Sequence, residues 1–330
     1  MELPVAALQT CPLLPEEVRS QPRFAIIGGS GVTVVGSERY SLQTPFGYVV
    51  NISFLDENKK VLFLNRHLCT HVDEETGAVG YAPPHLVNYR AMVWCLHTCS
   101  VKKVVALSST GTLDPSSIPV GSVVMPDDFY MVKPDPTTFW PHPAMGAIEA
   151  DKAKGQVGRI HFAPAIPEDE AWVSWRRSTQ KMVEGVFASA NQGSAPGEEK
   201  LHLAKGQSAS SWPLQNDEGK ISSGEDSCVY VNTIGPRFET RAEIRSYKAL
   251  GGSVVGMTCA YEWTLCSELL LPYALFSVVD NACNGMSTHP GGALQEYLDH
   301  KKDIGVVTDA MVAALVRGLS ELEIPPTDSS

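Results

Sequence analysis

The chain has no CxxC pair among its eight cysteines, and no cysteine and histidine spacing that would hold zinc. The thiols are therefore read as reduced groups of a cytosolic protein, and no metal is expected. No apolar stretch reaches the ~20 residues of a membrane span before charge or proline interrupts it. Basic residues are scarce: 26 Lys and Arg stand against 37 Asp and Glu, a formal charge of −11. That balance argues against a nucleic-acid groove or an anionic membrane as partner, since both call for clustered cations, and leaves a small molecule. The N-terminus, MELPVAALQTCPLLPEEVRSQPRF, lacks the basic and then apolar order of a secretory leader, so no signal peptide is expected. Internal repeats are also missing.

What is present is a chain of 330 residues, 43% hydrophobic, enough for one large core. It is read as a single domain over 1–330 with short terminal tails. Residues 188–226, rich in Ser, Gly, Asn and acidic side chains, have the composition of a flexible surface insertion. A shorter insertion spans 72–80. Elsewhere, short Val- and Ile-rich runs end in polar tips. Phe24-Ala25-Ile26-Ile27 leads into Gly28-Gly29-Ser30-Gly31, Val61 to Leu64 into Asn65-Arg66-His67, and Val104 to Leu107 into Ser108-Ser109-Thr110-Gly111. Between and after them, Leu86, Tyr89, Met92, Val93 and Leu96, and later Ile304, Val307, Met311, Leu315 and Leu319, recur at helical spacing. Apolar strands alternating with helices predict an α/β fold around a buried sheet, whose ligands sit at the carboxyl ends of the strands.

Each tip alone has an ordinary explanation. Gly28 to Gly31 could be only a tight turn, because it lacks both the dinucleotide and the P-loop spacing. Arg66-His67 could be a plain surface pair. Taken together with Ser109 and with Met257-Thr258, which follows another Gly-rich strand, they offer guanidinium, hydroxyl and amide donors to one small anion. In YVNTIGPRFETRAE, Phe238 and Glu239 suit a planar heterocycle with N–H donors. Equally, Phe238 could be core and Glu239 a helix cap. The largely apolar run from Leu269 to Val279 ends in Asp280, Asn281, Cys283 and Asn284, polar groups delivered by a strand that reads as buried.

The order of GGSG, RH, VNYRA, SSTGTL, GPRFETRAEI, GMT and the strand ending in Asn281 resembles the trimeric purine nucleoside phosphorylase and methylthioadenosine phosphorylase family. The resemblance covers about 22–320 and is nearest the methylthioinosine phosphorylase branch. It implies a three-layer α/β/α sandwich with a mixed, partly closed central sheet, and cleavage of purine nucleosides by inorganic phosphate as co-substrate, without an organic cofactor. It places phosphate at Ser30, Arg66, His67, the Ser109 backbone and Thr258, and ribose near Tyr89 and Met257. The purine falls against Phe238, Glu239 and Asn281, with Asn281, Glu239 and His67 as the catalytic groups. His161 matches a histidine that a neighbouring subunit lends to the 5′ pocket, so a cytoplasmic homotrimer is implied.

The base follows from hydrogen-bond polarity. A 6-oxopurine offers an O6 acceptor and an N1–H donor, and adenine reverses both. Glu239 accepting from N1–H and Asn281 donating to O6 favour hypoxanthine or guanine. Asp280 keeps the adenine-selective alternative open, because a register shift of one residue would bring a carboxylate to the base. Tyr261-Glu262, where the family usually has Pro-Glu, together with Cys283 and Asn284, keeps open a purine-nucleoside-binding protein without turnover. The sequence leaves the 5′ substituent, hydroxyl or methylthio, undecided.

Overall fold

The computed structural model describes residues 11–32, 34, 36–73, 76–133, 137–140, 142–143, 145, 170–192, 202–203 and 228–324. In chain order its elements are α1 (Glu16–Arg19), β1 (Arg23–Gly28), β2 (Tyr40–Thr44), β3 (Gly47–Phe54), β4 (Val61–Asn65), α2 (Tyr89–Thr98) and β5 (Val101–Thr112). There follow β6 (Ser122–Val124), β7 (Asp128–Met131), α3 (Glu170–Gln192), β8 (His202–Leu203) and β9 (Val229–Asn232). Then come α4 (Arg241–Ala249), β10 (Val254–Gly256), α5 (Cys259–Glu268), β11 (Tyr273–Ala282) and α6 (Gly292–Glu321).

The strands are apolar on both faces because helices cover both. Ala25, Ile27, Leu62, Leu64, Val104, Ala106 and Leu275 point to one layer, where Met92 and Trp94 of α2 and Trp263 and Leu265 of α5 meet them. Their neighbours Phe24, Ile26, Val61, Phe63, Val105, Leu107 and Phe276 point the other way, onto Trp175 of α3 and Ile304, Val307, Met311 and Leu315 of α6. This period of two, met by helices on either side, makes the three-layer α/β/α sandwich. Trp175 ties the layers together. It stacks on Phe24 at 5.6 Å and donates its indole N–H to the Val104 carbonyl at 2.7 Å.

The 11-stranded mixed sheet runs β2-β3-β4-β1-β5-β10-β9-β7, with β11, β6 and β8 branching from β5. Where a partly closed sheet is expected from the resemblance, the pairings among the described residues fork at β5 and do not return to form a ring. The expected insertion also begins later than 188: α3 continues through Gln192, and His202–Leu203 pair with β6. The rest of it lies outside the described residues. The shorter insertion turns back on itself through an antiparallel bridge between Val72 and Val79.

β1, β4 and β11 all run parallel to β5, so their carboxyl ends gather at one edge. Along β11 the register is Val279 opposite Thr110 and then Asn281 opposite Gly111, which makes Asp280 the extra residue of a β-bulge. The bulge fixes which polar side chain of this strand enters the site.

Candidate active site

At that edge lies a cleft of about 290 Å³, lined by Ser30, Arg66, His67, Ser109, Phe238, Glu239, Met257, Thr258 and Asn281 among others. Tyr89 is the exception among the expected residues. It is buried, donates its hydroxyl to the Pro84 carbonyl at 2.8 Å, and borders an adjacent cavity of about 350 Å³ on the far side of Pro84. The ribose contact expected of it therefore has no counterpart in the cleft. His161 lies outside the described residues.

One end of the cleft is built on the tips of β1, β4 and β5. Arg66 is fully buried, and its fork is engaged: Nε and Nη2 donate to the two oxygens of Glu262 at 2.6 and 3.0 Å, while Nη1 donates to the Leu107 carbonyl at 2.8 Å. The expectation of a fork free for an oxyanion is corrected here, because one edge is spent on a carboxylate 196 positions along the chain. Burial opposes the guanidinium charge, but Glu262 outweighs it and holds the proton firmly on. Glu262 also accepts from the Tyr273 hydroxyl at 2.7 Å. Gly29 permits the packing: a Cβ there would stand 2.6 Å from Arg66 Nη1.

His67 is buried beside Arg66 and stacks on Tyr81 at 4.7 Å. Its Nδ1 lies 2.8 Å from the Ala82 carbonyl, and a carbonyl only accepts, so Nδ1 carries the proton and Nε2 a lone pair. Burial, helped by the Arg66 charge, pushes the imidazole down to about 4, so the ring is neutral at pH 7. Thr258 caps the start of α5 without accepting from its amides. The Tyr230 hydroxyl accepts from the amides of Thr258 and Cys259 at 3.3 and 3.4 Å, and Asn232 accepts from Ala260 at 3.1 Å. The Thr258 hydroxyl, 3.5 Å from Cys259 Sγ, lines the cleft and is not used as a helix cap.

The other end gathers Phe238, Glu239, Asn281, Cys283 and Asn284. Phe238 is half-buried, edge-on to Tyr297 at 5.9 Å, and faces the cleft instead of the core. Glu239 is not the helix cap either. Thr240 and Glu243 form a reciprocal capping box at the start of α4, which releases Glu239 to the cleft. One Glu239 oxygen accepts from the Thr233 hydroxyl at 2.6 Å, and burial pushes the carboxyl above the usual range. Asn281 donates through Nδ2 to the Ala282 carbonyl at 3.1 Å. Gly111 fits between side chains, since a Cβ there would lie 2.7 Å from Cys283 Sγ and 3.1 Å from Asn281 Nδ2.

Asp280 does not line this cleft. The bulge turns it beneath β5, where it accepts from the Ser109 hydroxyl, so the register alternative that would bring a carboxylate to the base is not what the fold adopts. Tyr81 and Tyr297 line the cleft without having been singled out in the sequence, and Asn284, noted there only as a polar group beyond Asn281, lines it as well. Tyr81 follows the short insertion and Tyr297 sits on α6, positions that no strand-tip pattern marks. Asn284 fixes the Glu239 loop by donating to its carbonyl at 2.8 Å. Among the described residues, no three His, Cys, Asp or Glu side chains lie together as a metal site, and no helix is long and apolar enough to cross a membrane.

A sequence profile described as the Phosphorylase superfamily matches residues 23–210 and 226–317. The chain is 30% identical over 270 residues to a 6-oxopurine nucleoside phosphorylase of Pyrococcus furiosus, covering 81% of this chain and 82% of that protein. It is 30% identical over 302 residues to a probable S-methyl-5′-thioinosine phosphorylase of Methanothermobacter thermautotrophicus, covering 88% and 84%. Among solved structures, the methylthioadenosine phosphorylase of Schistosoma mansoni in its apo form superposes with a TM-score of 0.60 at 21% identity, covering 92% of this chain and 93% of that one. At that identity the likeness concerns the fold.

Proposed function

The chain belongs to the Phosphorylase superfamily, and on that premise we propose that it splits purine nucleosides with inorganic phosphate, releasing the free base and the sugar 1-phosphate. The observation that carries this reading is the two-ended cleft. Ser30, Arg66, His67 and Thr258 stand at one end, and Phe238, Glu239 and Asn281 at the other.

Phosphate occupies the first end, accepting from the Ser30 and Thr258 hydroxyls and from the Arg66 Nη1 proton that Leu107 does not take. Neutral His67 accepts from the O–H of hydrogenphosphate through Nε2. A phosphate oxygen bonds to C1′ of the sugar while the C1′–N9 pair departs with the purine. Charge therefore develops as cation on the sugar and anion on the base, and phosphate stabilises the one while donors receive the other. Neither Ser30 nor His67 acts as a nucleophile.

A 6-oxopurine fits the second end. The free oxygen of Glu239 accepts from N1–H, the Asn281 amide donates to O6, and Phe238 covers the ring face. The names of the relatives, 6-oxopurine nucleoside phosphorylase and S-methyl-5′-thioinosine phosphorylase, agree with that preference. No organic cofactor takes part.

We further propose a homotrimer in which His161 of a neighbour completes the 5′ pocket. Tyr81, Leu86 and Ile234, all exposed around the Pro84 wall of the cleft, supply apolar area for such a contact. The eight free, buried cysteines support a cytoplasmic setting.

The test is a panel of inosine, guanosine, adenosine, methylthioadenosine and methylthioinosine, each with and without phosphate. Phosphate-dependent release of base, faster from the 6-oxo nucleosides, is expected. Absence of any phosphate-dependent product would overturn the reading, and faster release of adenine would overturn its base preference.

A further inference from the structure

The bulge in β11 buries a carboxylate directly behind a cleft residue. Asp280 is almost wholly shielded, at 1% exposed. One of its oxygens, Oδ2, accepts from the Ser109 hydroxyl, while Oδ1 has no hydrogen-bond partner among the described residues. Ser109 itself lines the cleft beside Ser30 and Arg66. We propose that Asp280 is a positioning residue that sets, by holding or releasing a proton, whether the Ser109 hydroxyl can donate to phosphate in the cleft.

The argument follows from counting protons. An ionised carboxylate only accepts, so it claims the single proton of Ser109 and leaves that hydroxyl with lone pairs toward the cleft. Lone pairs repel an oxyanion. A protonated Asp280 reverses the bond: its own O–H donates to Ser109 Oγ, and the Ser109 proton is free to meet phosphate. No bond other than these two hydrogen bonds changes.

The surroundings favour holding the proton. From α6, Glu296 adds negative charge near Asp280, and the His300 ring nitrogen Nδ1 lies 3.2 Å from the Asp280 carbonyl without reaching its carboxyl. From β5 the facing group is Ser109, and beyond the strand the Cys283 thiol is pushed up in part by Asp280 itself. No cation compensates among the described groups that act on Asp280. Burial raises the carboxyl to about 7, against the lowering effect of the Ser109 hydrogen bond. The exchange therefore falls in the neutral range.

This inference rests on phosphate being the co-substrate. The experiment measures phosphate affinity by calorimetry, and the KM for phosphate with inosine, from pH 5.5 to 8.5. It uses wild type, Asp280→Asn, Ser109→Ala and the double variant. Wild-type affinity should weaken roughly tenfold above neutrality, the effect of one donor lost in a desolvated site. Asp280→Asn cannot ionise, so only the titration of phosphate itself should remain in its profile. Ser109→Ala should bind weakly at every pH, and adding Asp280→Asn to it should change nothing further. A wild-type profile in Asp280→Asn, or wild-type affinity in Ser109→Ala at pH 5.5, would overturn the proposal. Should Asp280→Asn fail to fold, the Ser109→Ala profile decides alone. Phosphate binding without phosphorolysis would sink the enzymatic reading and leave this one standing; no phosphate binding by wild type would sink both.

Discussion

Arg66 and Glu262 illustrate how one buried pair changes the expected effect of a substitution. Taken as an anion fork alone, Arg66 could be truncated with loss of turnover and little else. In the fold, Arg66→Ala leaves Glu262 buried with the Tyr273 hydroxyl but without its cation. A loss of about 3–5 kcal/mol in unfolding free energy is expected, measurable by urea denaturation, and turnover should fall with it. Asn281 carries the base choice. Asn281→Asp should move the inosine-to-adenosine ratio of specificity constants toward adenosine by roughly ten- to a hundredfold, because a carboxylate would oppose O6 and accept from the 6-amino group. Equal losses for both nucleosides would point instead to damage of the pocket. Glu239 adds a pH effect. Its carboxyl is raised by burial, so falling pH protonates it before ordinary surface acids, and its O–H can then donate to adenine N1. The adenosine-to-inosine ratio should accordingly rise as pH falls, and a flat ratio would remove Glu239 from contact with N1. At this scale Ser30, His67, Thr258, Glu239 and Asn281 were legible because each stands at a strand tip or beside a turn. The Arg66–Glu262 bond was not, because only the tertiary placement of α5 beside the tip that follows β4 brings two such distant positions together.

Elements were more legible than contacts. Runs such as Phe24 to Ile27 and Tyr273 to Val279 are buried at every position and apolar at all but Ser277, as a doubly covered strand requires, and the helical spacing of Ile304 to Leu319 falls inside α6. The bulge at Asp280 left no such trace, since one inserted residue in a strand has no composition of its own. The late end of α3 was missed for a related reason: Ser189, Asn191 and Gln192 read as loop, yet the helix runs through them. Trp175 gives that helix its anchor. Trp175→Ala would empty a buried indole site and remove the hydrogen bond to the Val104 carbonyl, costing about 3–5 kcal/mol by chemical denaturation. In contrast, excising 211–225, the stretch that the superfamily profile passes over, should leave melting temperature and kcat/KM nearly unchanged. Loop length alone costs only ~0.6 kcal/mol per doubling. A soluble but inactive deletion protein would assign that stretch a part in the reaction.

For the molecule as a whole, proton linkage should be visible in stability. A carboxyl raised from 3.8 to about 7 binds its proton more tightly when folded, so Asp280 contributes stability at acid pH that is lost as pH rises through that window. His67, lowered from 6.5 to about 4, works in the opposite sense, its contribution disappearing as pH falls through that range. Asp280→Asn has no proton to lose. Its unfolding free energy relative to wild type should therefore increase between pH 5 and pH 8, by up to about 1.4 kcal/mol per unit of the shift. An unchanged difference would mean that Asp280 is already ionised at pH 5. The pairing of β5 with β11 bears on a different process, synthesis. β5 closes its inner edge only when Tyr273 to Ala282 arrive, about 170 residues after β5 has been made. A nascent chain therefore carries the bare, apolar edge of its central strand for most of translation, a state in which strands pair with strangers. Chains truncated after residue 268 should accumulate in aggregates, and supplying the β11 segment late, as a separate peptide, should not rescue them. Completion of the cleft therefore waits on the last strand of the sheet to be made.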